Sequence, residues 1–273
     1  MTEMTALVAD AVATLRERAP LVHALTNYVT AGFTANVLLA AGASAAMVDN
    51  ADEAPLFAGV ADAVLINLGT PQPQLREVYI SAAAAAEASG TPWVLDPIAA
   101  GGLPWRGALA RDLLVHRPAA IRGNASEIIG LDGLSGSGAA GRGRGVDSSD
   151  DPADAVESAR SLLAHSSAVS ASGAIDHVVT AGGLATIAGG SVLMTKVTGT
   201  GCSLGALVAA YCGAVRDRGV ATVAAHTHAT VAADIAAESA SHPGSFAVAY
   251  LDALHAVTPD DITRRARIEW QSA

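Results

Sequence analysis

The richest chemistry in this chain lies in one stretch, Lys196-Val197-Thr198-Gly199-Thr200-Gly201-Cys202-Ser203. It follows a short apolar run, Val192-Leu193-Met194, expected to be a strand, and leads into a long alanine-rich helix. Two glycines and two threonines at such a junction leave backbone N–H groups free, and the helix N-terminus adds the positive end of its macrodipole. A junction of this kind suits an anion, above all a phosphate. The Gly-Lys-Ser/Thr ending of a Walker A loop is missing. Cys202 is the side chain expected to reach into the pocket from the first helical turn, where a thiol can have its pKa lowered. The same glycines would also serve a purely structural turn ahead of a buried helix.

Other polar residues fall at the ends of apolar runs: Asn67, Asp96, Arg122, Asn124 and Ser172. Asp96 precedes Pro97 and can be a turn residue. Glu127 stands three residues after Asn124 and can be an N-terminal capping carboxylate. As two carboxylates near a phosphate loop, they also suggest Mg²⁺ held partly through water. Arg122 at a strand end is poorly suited to a core and well suited to a phosphate. Thr26-Asn27 can line a small-molecule pocket or form an Asx or Ser/Thr turn. Met47 can be core or substrate contact, and Lys196 a phosphate contact or an exposed strand end. His226 and His228 are two apart on a helix and face different sides, so a shared ion is not expected. Asp234 and Glu238, one helical turn apart, read as a solvated face.

The elements that must position these residues alternate. Strands are expected at Val22–Leu25, Ala45–Val48, Ala63–Asn67, Trp93–Asp96 and Ala120–Arg122. Helices are expected over 30–41, 52–60, 72–89, 107–116 and 153–165, with one starting near Ser126-Glu127. This βαβα order predicts a mainly parallel sheet with helices on both faces, whose ligand sits outside the carboxyl ends of the strands. Between Ala168 and Met194 the short runs punctuated by Ser172-Gly173 and Gly189-Gly190 predict antiparallel hairpins at the sheet edge. From Gly201 onward the chain reads as helical, over 201–218, 220–241 and 245–256. The Gly/Ser/Arg-rich stretch 134–151 reads as a loop or insertion, not a domain boundary.

Composition limits the possibilities. The 273 residues are 51% hydrophobic, 15% charged and only 4% aromatic, so the core is built from Ala, Val, Leu and Ile. A net charge of −10 argues against nucleic-acid or anionic-membrane partners, so an anionic substrate must be met by local design. The two cysteines, Cys202 and Cys212, lie about 15 Å apart along one expected helix, too far to bridge. With no zinc spacing in the sequence, a reducing, cytoplasmic setting is expected. The first twenty residues show no apolar core of a signal peptide. The most apolar helix, Leu204–Val215, has about 12 residues and is too short to span a bilayer.

With these residues in hand, the chain resembles the hydroxyethylthiazole kinases of the ribokinase-like superfamily, over nearly its whole length. The resemblance rests on an ordered series: Pro20-Leu21-Val22-His23 with Thr26-Asn27, Phe33-Thr34-Ala35-Asn36, Gly42-Ala43-Ser44 with Met47, and Leu65 to Thr70. It continues through Leu95-Asp96-Pro97, Ile121 to Glu127, Gly145-Val146-Asp147-Ser148, Thr195 to Cys202 and Pro243-Gly244-Ser245-Phe246. The resemblance implies one kinase domain over residues 1–273 that phosphorylates the primary alcohol of 5-(2-hydroxyethyl)-4-methylthiazole from ATP with Mg²⁺. It implies thiazole contacts at Met47, Gly199 and Asn27. Arg122, Asn124, Ser172, Thr200 and Gly201 would meet ATP, and Asp96 and Glu127 the metal. Cys202 stands where sugar kinases of the superfamily carry an aspartate base. A homotrimer with sites between subunits is also implied. One departure is that the family's Thr-Gly-x-x-Asp appears here as Ser172-Gly173-Ala174-Ile175-Asp176, so Ser172 takes the threonine's place. Competing readings are a sibling kinase for hydroxymethylpyrimidine or pyridoxal, a ribokinase-like lyase that repairs hydrated NAD(P)H, and a binding protein that has lost turnover.

Overall fold

The protein is described by a computed structural model covering residues 2–135 and 151–273. The Gly141–Gly145 insertion and the Gly145–Ser148 motif lie outside the described residues. The first half runs α1 (Glu3–Arg18), β1 (Leu21–Leu25), α2 (Ala31–Ala41), β2 (Ser44–Ala46), α3 (Ala54–Ala58), β3 (Ala63–Asn67), α4 (Arg76–Ser89), β4 (Trp93–Asp96), α5 (Pro104–Leu113), β5 (Ala120–Asn124) and α6 (Ala125–Ser135). The second runs α7 (Val156–Leu162), β6 (Ala168–Ser172), β7 (Ile175–Thr180), β8 (Gly183–Ala188), α8 (Thr200–Ala214), α9 (Arg218–Ser239), α10 (Pro243–Ala256), α11 (Pro259–Arg265) and β9 (Arg267–Ser272).

The strands form one sheet in the order β2-β1-β3-β4-β5-β6-β7-β8-β9. Neighbours from β2 to β6 pair parallel, and those from β6 to β9 pair antiparallel. This is the mainly parallel α/β arrangement expected from the alternation, with short antiparallel strands at one edge, and it fits the ribokinase-like fold that the resemblance implies. The central strands are continuous apolar runs because both their faces are covered. In β3, Ala63 and Leu65 enter a core shared with α1, α2, α8, α9 and α10, while Val64 and Ile66 enter a second core with α3 to α7. Small side chains let α8 lie close on the sheet. A Cβ built on Gly213 would come 3.0 Å from the Asp62 carbonyl oxygen, and one on Gly205 3.1 Å from Asp96 Oδ2.

Several expected elements differ. Val192–Met194 is not a strand but part of a 3₁₀ turn, Val192–Lys196. Gly189 and Gly190 leave β8 with positive φ, and the Ser191 hydroxyl caps Leu193 N–H, so the apolar run never reaches a partner strand. β2 stops at Ala46 and lies at the sheet edge, only partly buried, because it pairs with β1 alone. Met47 therefore lies beyond the strand. The helix expected over 52–60 is confined to Ala54–Ala58, and those expected from 72 and 153 begin as 3₁₀ turns. The C-terminal region is not wholly helical, since β9 pairs with β8. No helix among the described residues is long and apolar enough to cross a membrane.

The loop after β4 is held by a close backbone crossing. A Cβ on Gly130 of α6 would collide with the Cα and N of Gly101. Neither backbone can yield cheaply, so Gly130→Ala should lower unfolding free energy by about 1–3 kcal/mol. An unchanged urea midpoint would contradict this packing.

Candidate active site

The polar strand-end residues converge on Asp96, which closes β4 and has no exposed surface. Parallel register sets Asn67 of β3 directly beside it. Asn67 Nδ2 donates to Asp96 Oδ2 at 2.8 Å, and Asn67 Oδ1 accepts from Asn27 Nδ2 at 3.0 Å and from Gly69 N–H at 3.0 Å. Asn27 Nδ2 also donates to Cys202 Sγ at 3.3 Å. On the other side, Arg122 Nη1 is 3.5 Å from Asp96 Oδ2, and Arg122 Nη2 donates to Ser172 Oγ. A continuous polar chain thus runs from Cys202 through Asn27, Asn67, Asp96 and Arg122 to Ser172, across the carboxyl ends of five elements.

The glycine loop lies over this chain. Gly199 has φ +102°, and a Cβ there would press on Thr30 and Phe33 at 3.1–3.3 Å. Gly201 faces the Arg122 guanidinium, whose Nη1 would be 3.5 Å from a Cβ at that position. Thr200 does not offer its hydroxyl outward: its Oγ donates to the Met194 carbonyl at 2.8 Å and ties the loop to the 3₁₀ turn. Lys196 is exposed on that turn.

Two cavities flank the chain. One of about 490 Å³ is lined by Arg122, Ser172, Gly173, Asp176, Thr200 and Gly201, with the 189–195 turn and Thr230 of α9 behind them. The other, about 220 Å³, is lined by Thr26, Tyr28, Met47, Asp49, Thr70 and Tyr79. Asn27 sits between Thr26 and Tyr28 of the smaller cavity, and its partner Cys202 follows Gly201 of the larger one. Asn27 is also an Asx-turn residue, since its Oδ1 accepts from Thr30 N–H at 3.1 Å. Its turn reading holds, whereas the smaller cavity is lined by its neighbours Thr26 and Tyr28 and not by Asn27 itself.

Burial dominates the electrostatics. The Asp96 carboxyl is pushed up to about 7 by desolvation, opposed by Arg122 and reinforced by Glu127. The Cys202 thiol is also pushed up, first by burial and then by the Asp96 charge. The direction is opposite to the lowering that a helix N-terminus can give, because burial dominates at this position. Glu127 behaves as a cap: Oε2 accepts from Asn124 N–H at 2.8 Å, Asn124 Oδ1 accepts from Glu127 N–H at 2.9 Å, and Oε1 accepts from Ala99 N–H at 3.1 Å. Ala99 adopts φ +58° to make that contact.

These carboxylates fit Mg²⁺ only as a partner to phosphates. Asp96 Oδ1 is buried with no hydrogen-bond partner and offers one ligand position, whereas both Glu127 oxygens already serve backbone amides. Among the described residues no group of three or more His, Cys, Asp or Glu side chains could hold a metal. A magnesium ion that keeps its waters and nucleotide oxygens needs no more than one or two carboxylates.

The histidines are buried and separate. His226 Nδ1 is 2.7 Å from Asp176 Oδ2, while His228 Nδ1 is 2.9 Å from the Tyr211 hydroxyl. Residue patterns alone did not assign Asn67 as the bridge or Asp176 as a cavity wall. Asn67's place at a strand end and Asp176's place after Ser172-Gly173 were the available signals.

A sequence profile described as the hydroxyethylthiazole kinase family matches residues 12–260. The chain is 56% identical over 267 residues to a hydroxyethylthiazole kinase of Rhodococcus erythropolis, covering 96% of this chain and 93% of that protein. It is 51% identical over 263 residues to one of Kineococcus radiotolerans, with the same coverages of 96% and 93%. Its structure matches that of a hydroxyethylthiazole kinase protein from Pyrococcus horikoshii with a TM-score of 0.87 and 31% identity, over 97% of this chain and 98% of that one. A Staphylococcus aureus pyridoxal kinase in complex with AMP-PCP and pyridoxal matches with a TM-score of 0.58 and 14% identity, over 79% and 87%, a likeness of fold alone.

The raised Asp96 pKa has a sign that can be tested. The folded protein holds this proton more tightly than the unfolded chain, so the group's contribution is fully present below about pH 4 and is lost as pH rises through about 7. Asp96→Asn removes that dependence. Its stability relative to wild type should therefore rise between about pH 4 and pH 7, with a steepest slope of about 1.4 kcal/mol per pH unit. A difference that stays flat with pH would contradict the buried carboxyl.

Proposed function

The chain belongs to the hydroxyethylthiazole kinase family, and on that premise we propose how its residues divide the work of moving a phosphoryl group from ATP to the hydroxyl of 5-(2-hydroxyethyl)-4-methylthiazole. The observation that carries this reading is the polar chain from Cys202 and Asn27 through Asn67 and Asp96 to Arg122 and Ser172, whose last two members line the larger cavity and whose Asn27 lies between two residues, Thr26 and Tyr28, that line the smaller one. The larger cavity takes ATP and the smaller takes the thiazole.

Phosphoryl transfer asks the protein for alignment and charge compensation more than covalent chemistry. The amides of the Gly199–Cys202 loop meet the γ-phosphoryl group, and Arg122 compensates its charge while Ser172 holds the guanidinium in place. Thr200 fixes the loop, and Asn124 fixes the start of α6 together with Glu127. Mg²⁺ bound with ATP would be held by Asp96, with Glu127 acting through water, and would supply further charge compensation at the phosphates. Met47, Asn27 and Gly199 shape the alcohol's side. Cys202 orients the hydroxyl, since a buried thiol with a raised pKa is a poor base.

Further parts of this reading rest on the resemblance and on surface character. Tyr28 and Met47 line the thiazole cavity yet are 73% and 38% exposed, and Val29 beside them is 60% exposed. Apolar residues left open at a site suit cover by a neighbouring subunit, and we assign a homotrimer with sites between subunits. Residues 1–273 act as one kinase domain, in the cytoplasm, without nucleic-acid or membrane partners.

The testing experiment is a coupled ADP-release assay with Mg·ATP and three alcohols: the hydroxyethylthiazole, hydroxymethylpyrimidine and pyridoxal. Release with the thiazole alone is expected, and release only with another alcohol would discard the substrate assignment. Arg122→Ala should raise the KM for ATP at least about tenfold, the effect of one lost charged contact, and leave thiazole binding intact. Equal loss of both would remove Arg122 from the nucleotide side. Cys202→Asp should keep turnover within about tenfold of wild type or above it, because a carboxylate can replace an orienting thiol and also accept the proton. A fall of several orders of magnitude in the folded variant would give the thiol an irreplaceable role.

A further inference from the structure

Helix α9 carries three residues at successive turns, His226, Thr230 and Asp234, and this spacing places them on one stripe. Each meets the wall of the larger cavity. Asp176 Oδ2 lies 2.7 Å from His226 Nδ1, and Asp176 Oδ1 accepts the Gly173 N–H at 2.9 Å. His226 Nε2 is 3.0 Å from Ser170 Oγ, so one tautomer satisfies both ring nitrogens: Nδ1–H donates to Asp176, and Nε2 accepts from Ser170. Two turns further on, Asp234 Oδ1 accepts the Gly190 N–H at 2.8 Å, and its Oδ2 accepts from Arg267 Nη2 at 3.0 Å. Arg267 Nε donates in turn to the Ala188 carbonyl at 3.2 Å. Between the two carboxylates, a Cβ on Gly189 would come 2.8 Å from Thr230 Cγ2.

The two arrangements are alike. In each, one carboxylate oxygen is anchored by a basic side chain and the other grips the backbone N–H of a glycine turn. The two turns, Ser172–Ala174 and Gly189–Ser191, both line the larger cavity. Asp234 is thus not merely part of a solvated face.

We infer that the His226–Thr230–Asp234 stripe of α9 is the template that sets the nucleotide cavity's width, with His226 and Asp234 as positioning residues for ATP. The inference rests on the assignment of the larger cavity to the nucleotide. The two-turn span of α9 from His226 to Asp234 holds both glycine turns at a fixed separation, and the Asp176 and Asp234 carboxylates transmit that spacing to them. The thiazole cavity shares none of these contacts, so the effect falls on one substrate only.

The test is calorimetric titration with the ATP analogue AMP-PCP plus magnesium, and separately with the thiazole alcohol. The proteins are wild type, Asp234→Ala, Asp234→Asn, His226→Gln and Ser172→Trp. Asp234 is partly exposed, so its variants keep the test available if His226→Gln does not fold. Asp234→Ala should weaken AMP-PCP binding about tenfold, as expected for one lost hydrogen bond to a charged group. Thiazole affinity should stay within about twofold of wild type. Asp234→Asn keeps the acceptor for Gly190 and should recover most of the loss. Unchanged AMP-PCP affinity in Asp234→Ala, or equal weakening of both ligands, would overturn the inference. Ser172→Trp fills the cavity and separates the two failures. If it binds AMP-PCP as wild type does, the cavity assignment falls and takes this inference with it. If it loses AMP-PCP while Asp234→Ala does not, the assignment stands and the α9 template alone is wrong.

Discussion

A carboxylate with no exposed surface, Asp96, is the constraint on which the rest of this structure depends. A buried charge is costly unless it is paired and hydrogen-bonded. Here one oxygen is met by Asn67 and Arg122, and the other is left without a partner. The result is a carboxyl pushed up to about 7, ready to take up a cation or a proton. Parallel register brings Asn67 alongside, Arg122 comes from β5, and the absence of a side chain at Gly205 lets α8 pass within contact of the carboxylate. Of these neighbours, Arg122 also lines the larger cavity, and Asn67 passes the chain on to Asn27.

The two halves of the sheet do different work. The parallel half places polar residues at one edge, where every strand ends in the same direction. The antiparallel half reverses the chain and builds walls from turns instead of strand ends, so the Ser172–Ala174 and Gly189–Ser191 turns line the larger cavity. α8 starts at the glycine loop and runs back beneath the parallel half, against β1, β3, β4 and β5, while α9 covers β6, β7 and β8.

Much of this was legible from residue order. β3 and β4 match their expected bounds residue for residue, because strands buried on both faces leave unbroken apolar runs bounded by turn residues. The strand-end residues that meet in space were visible as a set because a parallel sheet turns sequence position into location. Val192–Met194 was misread because an apolar triplet has the same look in a strand and in a 3₁₀ turn, and only the positive φ values of Gly189 and Gly190 decide between them. β9 escaped notice because Arg267, Glu269 and Gln271 give an edge strand a polar look despite Ile268 and Trp270. The raised pKa of Cys202 was not legible for a related reason. A helix N-terminus is a local feature of sequence, whereas burial beside Asp96 exists only in the folded chain.

The claim at the centre of this account is that Asp96, through the Mg²⁺ it would hold at the phosphates, serves the transfer step more than the affinity for either substrate. The most direct measurement is single-turnover phosphorylation of the thiazole by folded Asp96→Asn, with the affinity of each substrate measured separately. The account predicts a rate lower by about a thousandfold or more, as for loss of a principal charge-stabilising group, with both affinities within a few-fold of wild type. A rate within about tenfold of wild type, or a loss traced wholly to weaker binding of one substrate, would contradict it.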